Sequence, residues 1–155
     1  MIPKLSATVL AFAALCSAGP LQSAGSLAFG PNGVLFVGDS IGAKIWAYET
    51  TDTAKSNAQP VEVKAINDKL AALLGVMPAD VMINDVAVNP LSKRIYLSVH
   101  RGKGTDAMPL IVRVDSAGKL EVLDVDKLKS TAAAIPNPTK STSASARMDT
   151  ITDLA

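Results

Sequence analysis

The stretch Leu27-Ala-Phe-Gly-Pro-Asn-Gly-Val-Leu-Phe-Val-Gly-Asp39 sets the expected architecture of this chain. Short apolar runs lie on both sides of Pro-Asn-Gly, where Pro presets φ and Asn-Gly tolerates the positive φ of tight hairpins. The run after the turn is rich in β-branched and aromatic residues, which strands prefer. The stretch therefore predicts two antiparallel strands joined by a tight turn.

Two further runs extend this hairpin. Lys44-Ile-Trp-Ala-Tyr-Glu49 follows a turn that contains Gly42, and Val61-Glu-Val-Lys-Ala65 alternates apolar and polar residues with the period of a strand. The polar residues 50–60 are expected to connect them as a loop. Residues 25–65 are thus predicted to form a four-stranded antiparallel meander.

A helical insert is expected over residues 66–82. Ile66, Leu70 and Leu74 recur at helical spacing, and Gly75 stands where a helix C-cap belongs. This apolar stripe is expected to pack against the strands.

The meander pattern then repeats over residues 83–124. Leu27-Ala-Phe-Gly-Pro31 aligns with Val86-Ala-Val-Asn-Pro90, and Leu35-Phe-Val37 aligns with Ile95-Tyr-Leu97. The second region therefore predicts another four-stranded antiparallel meander.

A third copy is expected to begin in residues 148–155, after a linker or loop over 125–147 that is rich in Ser, Thr, Ala and Pro. Ile151-Thr-Asp-Leu-Ala155 aligns with Ile83-Asn-Asp-Val-Ala87. The chain is therefore expected to be the N-terminal fragment of a longer protein, truncated in its third unit. Alone it should be poorly soluble or oligomeric, because open strands and apolar faces invite association.

Composition narrows the class of protein. The chain has 155 residues, a formal net charge of +1 and 48% hydrophobic residues, which suits one packed domain and argues against a nucleic-acid binder. One Cys excludes an internal disulfide framework and a multi-cysteine zinc site. One His excludes a two-His metal site within the chain.

The N-terminus is typical of a signal peptide. Lys4 precedes an apolar run from Ser6 to Cys16 that is too short to span a membrane, and small residues follow it. Cleavage after Ala18 or after Ala24 fits the small-residue rule, with Ala18 the better match. Residues 1–24 are therefore predicted to be a signal peptide, and the protein is expected to be periplasmic or extracellular.

Repeated four-stranded meanders are the units of β-propellers. The phrase from Leu27 to Asp39 resembles the recurrent signature of the NHL and gluconolactonase-like propeller families, and Ile83-Asn-Asp-Val-Ala-Val-Asn-Pro90 is similar to their second-blade phrase. Residues 26–155 also resemble an uncharacterised family of exported bacterial propeller proteins. The resemblance implies an all-β chain with two propeller blades and the start of a third.

The resemblance also implies a candidate cation site. In gluconolactonase-like propellers, an Asn of an inner-strand Asn-Asp pair helps to hold a divalent cation such as calcium. Asn84 and Asp85 match that pair, and Asp153 recurs in the register of Asp85. The structural alternative is that these side chains bind backbone groups at the start of a strand.

A second candidate site is Gly38-Asp-Ser-Ile-Gly42, which contains Ser40. It fits the opening Gly-Asp-Ser of GDSL-type esterases and the Gly-x-Ser-x-Gly elbow, both of which need a strand-to-helix turn. The following residues read as a strand, which favours a plain turn.

Three functions remain open at this point. The first is an exported propeller scaffold that binds a small-molecule or protein ligand. The alternatives are a metal-dependent lactonase or hydrolase of gluconolactonase type, with a calcium-type cation, and a GDSL-type serine esterase that uses Ser40.

Overall fold

The computed structural model describes residues 20–138 and 150–154. Residues 1–19 of the predicted signal peptide 1–24, residues 139–149, which include part of the predicted linker 125–147, and Ala155 lie outside the described residues. The strands are β1 (Leu27–Phe29), β2 (Val34–Asp39), β3 (Lys44–Glu49), β4 (Val81–Val88), β5 (Ile95–Arg101), β6 (Met108–Val114), β7 (Leu120–Leu123) and β8 (Ser130–Ala134), and the helix α1 is Ile66–Leu74.

The strands form two four-stranded antiparallel sheets. The first sheet has the order β1-β2-β3-β8, and the second has the order β4-β5-β6-β7. The prediction of a mostly β chain with two such sheets and one helical insert is confirmed over the described residues. The second sheet is a simple meander, whereas the first is not.

The fourth strand of the first sheet differs from the prediction. The sequence predicts it at residues 61–65, but β8 pairs with β3 instead, in the register Trp46↔Ala132. The segment 125–147 therefore contains a strand as well as loop. The chain forms β1 to β3 of the first sheet, then the whole second sheet, and returns to add β8 to the first. The second sheet is therefore an insertion between two strands of the first.

Residues 61–65 do not join the first sheet, and their apolar side chains pack against the second sheet instead. Val61 and Val63 lie beside Gly118 in the turn between β6 and β7, and Val63 also packs at the edge of the cluster beneath α1. The alternation that predicts a strand is thus satisfied by this packing. The free edge of β3 is then left for β8.

The main core lies between the facing sides of the two sheets. Its best-buried members from the first sheet include Leu35 and Val37, and those from the second include Tyr96 and Ile111. The rings of Phe29 in β1 and Tyr96 in β5 meet edge-to-face with centroids 4.9 Å apart. Such aromatic contacts add to the burial of apolar surface, so this seam holds the sheets face to face.

Helix α1 covers the other face of the second sheet. Leu70 is fully buried among Leu97, Val99 and Val112, and the helix ends at Gly75 in a left-handed conformation with φ 68°. The predicted stripe and C-cap are confirmed. A short 3-10 turn follows, and β4 begins at Val81, two positions before the predicted start of the second meander at residue 83.

Residues 150–154 lie on the other face of the first sheet. Val37 faces the core, so its neighbour Gly38 faces the opposite side of the sheet. A Cβ placed on Gly38 would lie 3.0 Å from the Ile151 side chain. Ser26 Oγ also donates a hydrogen bond of 3.1 Å to Thr152 O. The sequence predicts a third unit beyond the second meander, but β8 has already brought the chain back to the first sheet.

Candidate functional site

Asn84 and Asp85 join the first strands of the two sheets, β1 and β4. A β-bulge between Ile83 and Asp85 interrupts the pairing of β4 with β5 and places both polar residues at the seam. Asn84 Nδ2 donates 2.7 Å to Ala24 O, and Asp85 Oδ2 accepts 2.8 Å from Leu27 N–H. Both side chains thus bind the main chain at the start of β1.

Asp153 shares one local feature with Asp85. Asp85 Oδ1 accepts 2.8 Å from Val86 N–H, and Asp153 Oδ1 accepts 2.8 Å from Leu154 N–H. The repeat seen in the sequence is therefore accompanied by the same local hydrogen bond. Within residues 20–138 and 150–154, no group of three or more His, Cys, Asp or Glu side chains is placed to hold a metal ion.

Ser40 lies in the hairpin between β2 and β3. Its hydroxyl donates 3.4 Å to Ile151 O and accepts 3.3 Å from Ile151 N–H, and the residue is 4% exposed. The element that follows is a strand, so this turn is not the strand-to-helix turn that a nucleophile elbow needs. The structure assigns Ser40 a role in docking residues 150–154 on the first sheet.

Asp39 is a buried carboxylate that organises the same hairpin. It accepts hydrogen bonds from Ser23 N–H at 2.9 Å, from Gly42 N–H at 2.8 Å and from Trp46 Nε1 at 3.3 Å. A Cβ on Gly42 would lie 2.5 Å from Asp39 Oδ2, so only glycine leaves room for this carboxylate. Asp39 therefore ties residues 22–23, the turn and β3 together.

Asp52 is a second carboxylate held by several hydrogen bonds, and sequence reasoning missed it. Its carboxylate oxygens accept hydrogen bonds from Ser92 Oγ at 2.6 Å, Arg94 at 2.6 Å and Tyr96 OH at 2.8 Å. Its main-chain carbonyl accepts a further hydrogen bond from Asn89 Nδ2. Burial alone would raise the pKa of Asp52, but the bonds from Ser92 and Tyr96 and the charge of Arg94 hold it below its usual range. The only sequence signal is a single acidic residue in the polar loop 50–60, whose other charged residue is Lys55.

His100, the single histidine, is 4% exposed at the same seam. Its Nε2 accepts 3.3 Å from Ala24 N–H, so the imidazole is neutral at this nitrogen. Burial lowers the pKa of His100, because the charged form would lose its hydration. In the structure His100 lies within β5 and is a hydrogen-bond acceptor between the two sheets.

A cavity of about 250 Å³ opens at the outer end of the seam. Trp46 and Tyr48 of β3 form its floor, and their rings stack 5.5 Å apart at 10°. Asp126 stands on its wall in the turn after β7, and Ser130 lies at the start of β8. Three separate parts of the chain thus build the cavity, and the pairing of β8 with β3 completes it.

The electrostatics of this cavity are acidic. Burial raises the pKa of Tyr48 far above its usual range, and the nearby charges of Asp39 and Asp126 act in the same direction. Among the residues that the structure describes, no Lys or Arg lines the cavity. A bound molecule would therefore meet a neutral phenol and a carboxylate.

Comparison of the chain with protein-family models, with curated proteins and with solved structures finds no match. Along the described segments, no helix combines the length and apolarity that crossing a membrane requires.

Proposed function

We propose that this chain is part of an exported β-propeller protein that acts as a ligand-binding scaffold. The cavity beside Trp46 and Tyr48 carries the binding role, because it combines about 250 Å³ of open space with apolar walls and the carboxylate of Asp126. The residues that the sequence offers for catalysis or metal binding are engaged in main-chain hydrogen bonds. Asp85, for example, binds Leu27 N–H, and Ser40 binds both backbone groups of Ile151.

The propeller arrangement is supported by the way the inner strands meet. Along β4, Asn84 bonds to Ala24 and Asp85 bonds to Leu27, so the residue numbers of the two strands increase in the same direction. The first strands of the repeats are thus parallel neighbours, as the innermost strands of adjacent blades are. Face-to-face packing of two four-stranded antiparallel sheets accompanies this contact.

Ligand binding can be tested with the only tryptophan as the reporter. A panel of amines, sugars, amino acids and organic acids is titrated while Trp46 emission and the thermal midpoint are recorded. We expect at least one class of compound to change both saturably. The same samples should not hydrolyse aldonolactones or p-nitrophenyl esters, with or without added calcium.

Two variants of β8 give this experiment a matched control. Ser130 lines the cavity and pairs with Tyr48. Thr131, the next residue of β8, pairs with Ala47, and the side chains of this pair point to the face of the sheet that is opposite the cavity. Ser130→Phe should abolish the response, and Thr131→Phe should retain it. Lactone turnover that depends on calcium, or a response that survives Ser130→Phe, would overturn the proposal.

A further inference from the structure

We infer that the cavity beside Trp46 selects small organic cations, in which an ammonium group is carried on a compact apolar body. The inference rests on the binding role proposed above and adds the chemical class of the ligand. It follows from three features of the cavity: its apolar wall, its unpaired carboxylate and the covered faces of its aromatic rings.

The wall of the cavity suits a carbon skeleton. Pro20, Leu21 and Val125 contribute apolar surface, and Leu21 and Val125 also pack on the core between the sheets. Because this surface is already ordered by the core, a ligand loses little to reorganisation when it binds there. The volume of about 250 Å³ limits the ligand to a small molecule.

Asp126 is the carboxylate that lines the cavity, whereas Asp39 is buried and held by hydrogen bonds from Ser23, Gly42 and Trp46. The neighbouring acids are neutralised, because Asp124 pairs with Lys127 and Glu49 pairs with Lys129, each at 2.7 Å. Among the ion pairs of the described residues, none includes Asp126. Its carboxylate is therefore left to pair with a cation from outside, and an anionic ligand would be repelled.

The aromatic rings argue against a neutral sugar. Sugars bind most favourably to an open ring face, but Trp46 and Tyr48 stack on each other and are only 4% and 2% exposed. Lys44 Nζ lies 5.7 Å from the centre of the Trp46 ring and occupies a further approach to it. The rings therefore leave little open face on which a sugar could stack.

Three isosteric probes separate charge from shape: cyclohexylamine, cyclohexanol and cyclohexanecarboxylate, titrated at pH 7 against Trp46 emission. The amine is protonated at this pH, since alkyl ammonium groups have a pKa near that of Lys, about 10.4. We expect saturable binding of the amine, binding of the alcohol that is weaker by about tenfold, and no binding of the carboxylate.

Asp126→Asn should weaken amine binding by about tenfold and leave the alcohol unchanged, since it removes one charge and keeps the shape. Asp124→Asn is the matched control in the same turn, and it should change amine binding by less than about twofold because Lys127 already neutralises that acid. Both sites are exposed at the surface, so both variants should fold.

Equal affinity for the amine and the alcohol, or an equal loss from Asp124→Asn and Asp126→Asn, would overturn the choice of ligand class. If another class from the panel binds and is blocked by Ser130→Phe, the binding role stands and this inference fails. If no compound of the panel or of this series changes Trp46 emission, both fail.

Discussion

Asp85 Oδ2 accepts a 2.8 Å hydrogen bond from the main-chain N–H of Leu27, across the seam between the two sheets. The bond reaches from the β-bulge of β4 to the first residue of β1. Asp85, which the sequence offers as a cation ligand, thus connects the two sheets through a hydrogen bond. The strength of this bond is the first quantity to measure.

Asp85→Ala should lower the free energy of unfolding by about 1.5–3 kcal/mol, the range for hydrogen bonds to charged groups. The matched control is Asp153→Ala, which also loses a hydrogen bond from the N–H of the following residue. Among the described residues, Asp153 makes no hydrogen bond between the two sheets. That variant should stay within about 0.5 kcal/mol of the parent. Urea denaturation followed by Trp46 fluorescence measures both values, and equal losses would contradict the structural role of Asp85.

Asp52→Ala should cost more, about 3–5 kcal/mol, because it leaves buried partners without an acceptor. Tyr96 OH and Ser92 Oγ are both buried and both donate to this carboxylate. Glu121→Ala breaks the exposed pair with Arg113 and should cost less than about 1 kcal/mol. Chemical denaturation ranks the two variants, and a loss of similar size for both would show that the Asp52 network is weak.

Acid should weaken the protein through His100. Because burial lowers the pKa of His100 in the folded state below the usual 6.5, the neutral form stabilises the fold above that pH. This contribution is lost as the pH falls through the lowered pKa, since protonated Nε2 no longer accepts from Ala24 N–H. The single histidine gives one resolved NMR titration, which should have its midpoint below 6.5.

The stability of the parent chain should therefore fall over the pH interval between the usual pKa of histidine, about 6.5, and the lowered pKa of His100. His100→Gln keeps an acceptor without a titrating group, so its unfolding free energy should be flatter over this interval. Parallel curves for the parent and the variant would argue against the role of His100.

Strand β8 can be tested by proline substitution. Ile135 N–H donates to Ala43 O and Glu49 N–H donates to Lys129 O, so by alternation Ala133 N–H points toward β3 and Ala134 N–H points away. Ala133→Pro should cost about 3 kcal/mol, since it removes a ladder bond and disturbs the strand. Ala134→Pro should cost much less, as expected for an outward-facing position on an edge strand. Thermal melts that do not separate the two variants would contradict the pairing of β8 with β3.

Signal-peptide cleavage is expected after Ala18 rather than after Ala24. Ser23 donates to Asp39 through both its N–H and its hydroxyl, and Ala24 is fully buried against His100. The mass of the exported protein should therefore correspond to a chain that begins at Gly19. A chain that begins at Gly25 should melt several degrees lower, since about 1 kcal/mol shifts the midpoint by roughly 2–8 °C. Equal midpoints would show that residues 19–24 are dispensable.

The local features of this fold could be predicted from the sequence. Helix α1 ends at Gly75 because glycine adopts the left-handed conformation without strain, and its stripe of apolar residues is read from spacing alone. The second sheet is a meander whose strands pair with their neighbours along the chain, so turn residues and alternation were sufficient.

The candidate sites show where such reasoning stops. Asn84, Asp85 and Ser40 are visible as motifs, but their hydrogen-bond partners Ala24, Leu27 and Ile151 are far away in the chain. Asp52 belongs to no motif, and its network becomes apparent only when the loop after β3 meets β5. The role of a polar side chain depends on the groups it faces, and spacing along the chain does not state them.

By itself, the sequence determined that this protein builds short antiparallel strands in repeated units with one helix between them, because turn chemistry and hydrophobic period act over a few residues. Only the tertiary structure decided which strand completes the first sheet. Residues 61–65 and β8 were both available to the edge of β3, and the alternation of Val61 and Val63 favoured the wrong one. In the structure Val63 packs against the cluster beneath α1, whereas β8 pairs with β3 and lines the cavity at Ser130. Competition between distant segments for one edge is settled by total burial and pairing, which no local pattern contains.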